Sequence, residues 1–113
     1  MPFAQRDGAD LYWEKSGDGP PLILASGLGG VLGYWQVNRA ALERHFTVYL
    51  FDQRGTGKSS RIEVASIEQL SADVIAVMDA AGLPSAHFLG HSTGGAIGVA
   101  TALDYPGRLR SLM

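Results

Sequence analysis

Three short apolar runs constrain the fold of this chain more than any other feature. They are Leu22–Ala25, Phe46–Phe51 and Ala86–Leu89. Runs of this length without polar alternation are typical of strands buried on both faces of a sheet. Helical spacing of apolar residues follows the first two runs, at Trp35–Arg44 and from Ser66 onward. Strands that alternate with helices predict an α/β protein with a mostly parallel sheet and helices on both faces.

Local signals at the ends of these elements agree with that pattern. The pair Asp7-Gly8 separates two segments of alternating polarity, which predicts an N-terminal β-hairpin. Ser66 stands three residues before Gln69, the spacing of a capped helix start. A last helix is predicted from Ala96 to Tyr105, because Pro106 follows it.

Composition and charge exclude several classes of protein. The chain has 113 residues, enough for one domain or part of one, and 46% of them are hydrophobic, so a packed core is expected. A net charge of −2 does not fit a nucleic-acid partner or a polybasic membrane surface. The absence of cysteine excludes disulfides and a thiol nucleophile. Without a membrane span or a signal peptide in the sequence, we expect a cytoplasmic protein.

Three glycine-rich loops follow the three buried runs. They are Ser26–Gly30, Asp52–Ser59 and Gly90–Gly94. In a parallel sheet the carboxyl ends of the strands share one edge, and ligands bind outside that edge. We therefore expect these loops to converge on one site.

The third loop, Gly90-His91-Ser92-Thr93-Gly94, has the pattern G-x-S-x-G between a strand and a helix. This pattern is typical of a nucleophile elbow, in which glycines two residues to either side of a serine allow a tight, strained turn. Ser92 is the candidate catalytic nucleophile, and the Thr93 N–H is a candidate oxyanion-hole donor at the positive end of the helix dipole. The alternative is a structural turn in which Ser92 is an ordinary helix N-cap.

The first loop offers a second oxyanion donor, for which Leu28 is the candidate. The alternative is a dinucleotide-binding loop over Gly27–Gly33, followed by Asp52 at the end of the next strand. Leu32 occupies the position of the third glycine in that fingerprint, with Gly33 one residue late. The glycine spacing therefore does not match that of a dinucleotide-binding loop.

The second loop ends in Gly57-Lys58-Ser59, like the end of a phosphate-binding loop. The opening glycine of that motif would fall on Asp52, so nucleotide binding is disfavoured. A structural role fits better, with Asp52 and Arg54 holding each other and the loop backbone.

The three histidines are not placed to act as a catalytic base. His91 precedes Ser92 and should point away from it. His87 lies at the beginning of the third strand and His45 precedes the second, so both should lie at the other end of the sheet. The chain has no H-x-x-x-H or H-E-x-x-H metal motif. No metal and no cofactor are therefore expected.

Taken together, the motifs resemble those of the α/β-hydrolase fold family, over essentially the whole chain and in the same order. The segments that carry the resemblance are Ser26–Gly30, Tyr34-Trp35, Asp52–Ser59 and Gly90–Gly95. Within the family the chain is similar to enol-lactone hydrolases and to aminoacrylate hydrolases. The loop begins Ser26-Gly27 where the family usually has His-Gly, which leaves the donor position at Leu28.

The resemblance implies a serine hydrolase acting on a small-molecule ester, lactone or related acyl substrate, without a cofactor. In the family the acid and the histidine of the triad follow the serine in the chain. Neither is expected within residues 1–113, which would then be a partial hydrolase domain without its cap domain. We expect the strand at Ala86–Leu89 to be left as a bare apolar edge.

Two other functions are compatible with the sequence. One is a non-catalytic binding or scaffold protein built on part of a hydrolase, and the other is a nucleotide-binding domain that uses Gly27–Gly33 or Gly55–Ser59. The oligomeric state is not indicated by any feature of the sequence.

Overall fold

The structure is a computed structural model that describes residues 3–6, 8–26, 35–60, 64 and 66–113. Within these residues six strands form one sheet, flanked by three helices. The strands are β1 (Phe3–Arg6), β2 (Ala9–Gly17), β3 (Pro21–Ala25), β4 (Thr47–Phe51), β5 (Ala86–Gly90) and β6 (Leu109–Leu112). The helices are α1 (Gln36–Glu43), α2 (Ile67–Ala80) and α3 (Thr93–Asp104).

The sheet is mixed, with the strand order β1-β2-β4-β3-β5-β6. β1 and β2 form the predicted hairpin, in which Arg6 pairs with Ala9, and β2 pairs antiparallel with β4. The remaining neighbours, β4 with β3, β3 with β5 and β5 with β6, are parallel. The prediction of a bare edge at β5 is wrong, because β6 covers it, with Ala86 opposite Leu109.

Helices cover both faces of the sheet, as predicted. Alternate residues of β3 separate the two cores: Leu22 and Leu24 pack with the α1 side, whereas Ile23 and Ala25 pack with the side of α2 and α3. These four side chains are almost fully buried, as expected for a strand in the middle of the sheet. Of the three described helices, none is both long and apolar enough to cross a bilayer.

Helix α3 approaches the sheet closely at Gly98. A Cβ atom at this position would collide with the ring of Phe88 in β5 and with the side chain of Leu112 in β6. Phe88 is fully buried, so its ring has little freedom to move away. Gly95, on the same helix, faces open space.

Alanine substitutions at these two glycines should therefore have opposite effects. Gly98→Ala should lower the free energy of unfolding by about 1–3 kcal/mol through overpacking. Gly95→Ala should raise it by up to ~1 kcal/mol, since alanine loses less conformational entropy in a helix. Urea denaturation of both variants tests this, and a shift in the same direction for both would contradict the packing of α3 described above.

A buried ion pair joins the loop after β4 to α2. The Arg54 guanidinium donates two hydrogen bonds to the Asp73 carboxylate, at 2.7 and 2.8 Å, and both side chains are about 98% buried or more. Arg6 of β1 adds a third charge, 3.5 Å from Asp73. The pairing of Arg54 with Asp52 stays a prediction; the structure shows Asp73 as a partner of Arg54, and this pair fixes the loop to the helix layer.

Removing one charge of this pair should be costly, because the other stays buried and loses two charge-assisted hydrogen bonds. Asp73→Ala should lower the free energy of unfolding by about 3–5 kcal/mol. The matched control is Asp79→Ala on the same helix, whose exposed carboxylate pairs with Arg108 and should cost at most about 1 kcal/mol. Equal losses in chemical denaturation would show that the Arg54–Asp73 pair does not anchor the loop.

Candidate active site

The carboxyl ends of β3, β4 and β5 lie side by side at one edge of the sheet. Leu24 is opposite Leu50 in β4, and Ala25 is opposite Gly90 in β5. The segments after these strands therefore leave the sheet at the same edge, as the sequence predicts. Residues 27–34, with the predicted oxyanion donor Leu28, lie outside the described residues.

Ser92 stands at a strained turn between β5 and α3. Its backbone has φ 60° and ψ −121°, and it is the one non-glycine residue with positive φ in the described part of the chain. Such conformations cost about 1–3 kcal/mol and persist only where the surroundings enforce them. The Ser92 side chain is exposed and makes no capping hydrogen bond to α3. The alternative interpretation of Ser92 as an ordinary N-cap therefore finds no support.

Backbone hydrogen bonds hold this turn against the end of β3. The His91 N–H donates to the Ala25 carbonyl at 3.0 Å, which continues the β3–β5 pairing into the turn. The N–H groups of Gly94 and Gly95 donate to the carbonyls of His91 and Ser92, both at 2.9 Å. The backbone on both sides of Ser92 is thus fixed, while its hydroxyl remains exposed.

The two glycines of the G-x-S-x-G pattern are required by close backbone contacts. A Cβ at Gly90 would strike the carbonyl of Gly94, and a Cβ at Gly94 would strike the carbonyls of Ala25 and Ser26. No side chain fits at either position without moving main-chain atoms. The pattern therefore reports a turn packed directly on the neighbouring strand, as predicted.

Thr93 is the first residue of α3, so its N–H belongs to the first turn, where amides have no partner within the helix. Within the described ranges this N–H has no acceptor. It stands next to the exposed Ser92, at the positive end of the α3 dipole. The start of α3 can therefore stabilise negative charge that develops on an oxygen of a group attached to the Ser92 Oγ.

Two of the three histidines, His87 and His45, lie at the end of the sheet that the sequence predicts. His87 lies opposite Leu22, at the amino end of β3, and its Nδ1 is 2.7 Å from the Ser111 hydroxyl of β6. His45 is exposed at the amino end of β4. Across residues 3–6, 8–26, 35–60, 64 and 66–113, no three His, Cys, Asp or Glu side chains come together as a metal site would require.

The Asp52 carboxylate lies inside the loop that follows β4. Asp52 accepts a hydrogen bond from the Lys58 N–H at 2.9 Å, and a Cβ at Gly57 would overlap this carboxylate. The Ser59 hydroxyl donates to the Asp52 carbonyl at 2.6 Å and accepts from the Tyr12 N–H at 2.9 Å. A phosphate-binding loop would offer the Lys58 N–H and the Ser59 hydroxyl to a nucleotide. Here both groups are hydrogen-bonded to other parts of the protein.

A charged cluster flanks this loop. The Tyr12 hydroxyl donates to Glu14 at 2.6 Å, and Arg39 lies 3.3 Å from the same carboxylate. The hydrogen bond from Tyr12, supported by Arg39, lowers the pKa of Glu14 below its ordinary value, and the same bond raises the pKa of Tyr12. The Lys58 ammonium is 4.7 Å from the centre of the Tyr12 ring. Glu14 is thus held ionised as an anchor and is a poor proton acceptor.

Two buried polar residues with partners far along the chain, Asp73 and Gln53, belong to no catalytic pattern in the sequence. Asp73 had a detectable signal: it lies three residues after Leu70 and four before Val77, so it shares the buried face of α2. A carboxylate on an apolar helix face predicts a buried cation as its partner. Gln53 had no such signal, because its partner is a backbone carbonyl.

Comparison with known proteins agrees with this geometry. The sequence model described as the alpha/beta hydrolase fold matches residues 20–113. The RutD protein of Azorhizobium caulinodans, which is named as a carbamate hydrolase, is 45% identical over 113 residues, covering 99% of this chain and 43% of RutD. A RutD protein of Variovorax paradoxus is 41% identical over 108 residues, covering 91% of this chain and 41% of its own length. The chain thus spans less than half the length of these relatives.

Solved structures show the same relationship. A hydrolase from Pseudomonas aeruginosa superimposes with a TM-score of 0.92 at 38% identity, covering 97% of this chain and 43% of the hydrolase. The enol-lactonase from Burkholderia xenovorans superimposes with a TM-score of 0.91 at 35% identity, covering 97% of this chain and 44% of the enzyme. With the matching sequence model and the elbow geometry, these similarities show that the chain belongs to the α/β-hydrolase fold family.

Proposed function

We propose that residues 1–113 are the N-terminal part of a serine hydrolase that acts on a small ester, lactone or related acyl compound. The observation that carries the proposal is the strained, exposed Ser92 at the start of α3. A backbone strain of this kind is retained at functional sites, where it aims a reactive group. An ordinary helix start would avoid it.

The relatives support the chemical class of the substrate. RutD is named as a carbamate hydrolase, and the solved lactonase acts on an enol-lactone by its name. In both a carbamate and a lactone, the carbonyl carbon also carries a single-bonded oxygen. A serine hydroxyl can attack that carbon. We therefore infer acyl transfer to Ser92, followed by hydrolysis.

In the proposed mechanism, the Ser92 oxygen bonds to the substrate carbonyl carbon while a histidine takes the hydroxyl proton. The resemblance to the family implies that this histidine, and the acid that orients it, follow residue 113 in the chain. The N–H groups of Thr93 and Leu28 would stabilise the oxyanion, each by about 3 kcal/mol. The histidine gives this proton to the leaving group as the bond from the carbonyl carbon to that group breaks. Water, deprotonated by the same histidine, then attacks the acyl carbon, and Ser92 regains its proton as the acyl group is released.

Substitution of the proposed nucleophile should abolish turnover without unfolding the protein. In the complete protein, Ser92→Ala should reduce kcat on p-nitrophenyl acetate by at least about 10⁴-fold. Ser111→Ala is the control, because it removes a hydroxyl bound to His87 at the other end of the sheet and should leave kcat unchanged. Wild-type turnover by the Ser92→Ala protein would refute the assignment.

Residues 1–113 by themselves should show little or no hydrolysis. Without a histidine to take its proton, the Ser92 hydroxyl is a weak nucleophile of high pKa. The assay compares purified residues 1–113 with the protein from its natural source, whose intact mass under denaturing conditions should exceed 12.0 kDa. Turnover by residues 1–113 that Ser92→Ala abolishes would mean that the base lies within this part of the chain.

A further inference from the structure

The end of β3 is held from both sides by hydrogen bonds to consecutive carbonyl groups. The Ala25 carbonyl accepts from the His91 N–H of the elbow at 3.0 Å. The Ser26 carbonyl accepts from the Gln53 side-chain amide, in the loop after β4, at 2.7 Å. The first donor lies just after β5 and the second just after β4, so the backbone between the two carbonyls is held from both neighbouring strands' ends and cannot rotate freely.

Gln53 is a buried polar residue whose side-chain amide is only half satisfied by hydrogen bonds. The residue is 2% exposed, and its Oε1 is buried with no hydrogen-bond partner among the described residues. A buried amide with only one end satisfied carries a desolvation cost that an apolar side chain would avoid. The hydrogen bond to Ser26 is therefore the feature that accounts for a glutamine here.

The Ser26 carbonyl is also a direct neighbour of the elbow. A Cβ built on Gly94 would lie 2.9 Å from the Ser26 oxygen, which is too close for a side chain. The start of α3 therefore packs tightly against this carbonyl. Rotation of the Ser26 carbonyl would therefore move the turn that presents Ser92 and the Thr93 N–H. In a close-packed contact such a displacement is transmitted and not absorbed.

We propose that Gln53 is a positioning residue, which acts through the Ser26 carbonyl to hold the elbow in its reactive geometry. This inference rests on the proposed function, because it concerns the alignment of Ser92 with its oxyanion donors. Gln53 itself need not touch the substrate. Its loss should therefore weaken stabilisation of the transition state and leave substrate binding largely intact.

The test uses the complete protein with Gln53→Met, which keeps the side-chain length and removes the donor. With p-nitrophenyl acetate, kcat should fall about 10–100-fold while KM changes less than about threefold, as expected for a small misplacement of catalytic groups. The rate at which a fluorophosphonate labels Ser92 should fall by a similar factor. Gln5→Met is the matched control, since the Gln5 amide bonds to the exposed Asp10 in the hairpin and its loss should change neither rate.

A second variant, Gln53→Glu, separates positioning from simple packing. An ionised carboxylate would repel the Ser26 carbonyl, whereas a protonated carboxyl can donate a hydrogen bond to it. The ratio of Gln53→Glu to wild-type kcat should therefore rise as the pH falls, at temperatures where both proteins remain folded by circular dichroism. This variant also carries the test if Gln53→Met does not fold.

The outcomes distinguish the two proposals. Wild-type kcat in both Gln53 variants, or a flat pH ratio for Gln53→Glu, would overturn the role of Gln53 even if Ser92→Ala is inactive. Failure of the fluorophosphonate to label Ser92 in the wild-type protein, with full turnover by Ser92→Ala, would overturn the proposed function itself. Loss of kcat with an unchanged KM and a rising pH ratio supports Gln53 as a positioning residue.

Discussion

The site depends on one close approach, in which the backbone of the elbow rests on the carbonyl end of β3. Parallel pairing brings Ala25 level with Gly90, and the hydrogen bond from His91 extends that pairing by one residue. The chain must then turn at once into α3, and it has room to do so only because Gly94 lacks a side chain. The positive φ of Ser92 is the consequence, and it leaves the hydroxyl outside the sheet.

Buried polar groups around this contact are arranged to keep it rigid. The Arg54–Asp73 pair fixes the loop after β4 to α2, and Asp52 binds the same loop from inside through the Lys58 N–H. Gln53 lies between these anchors and reaches the end of β3. Burying a polar group is costly unless it is hydrogen-bonded, so each of these bonds fixes a specific geometry, although the Gln53 Oε1 has no partner among the described residues.

Much of the fold could be predicted because its signals are local. The hairpin of β1 and β2, the N-cap bond from the Gln69 N–H to the Ser66 hydroxyl and the elbow around Ser92 each depend on residues a few positions apart. Parallel pairing then follows from the alternation of strands and helices. The position of β4 in the sheet, between β2 and β3, could not be derived from that alternation.

The parts that were missed depend on partners distant in the sequence. Asp73 lies 19 residues from Arg54, and Gln53 lies 27 residues from Ser26, so neither pairing has a spacing rule. The covering of β5 by β6 was also missed, because β6 has only four residues, three of them exposed, and its sequence gives little sign of the pairing. Leu28 and the rest of its loop lie outside the described residues, so its role as a donor stays a prediction.

The order of these supports along the chain has a consequence for biosynthesis. Ala25, Ser26 and Gln53, which hold the elbow, all precede Ser92. Translation starts at the N-terminus, so these three residues have already been made when Ser92 is added. The nucleophile turn can thus be assembled during translation. If the proton acceptor is encoded later, as proposed, the turn that presents Ser92 can form before the histidine that activates it has been made.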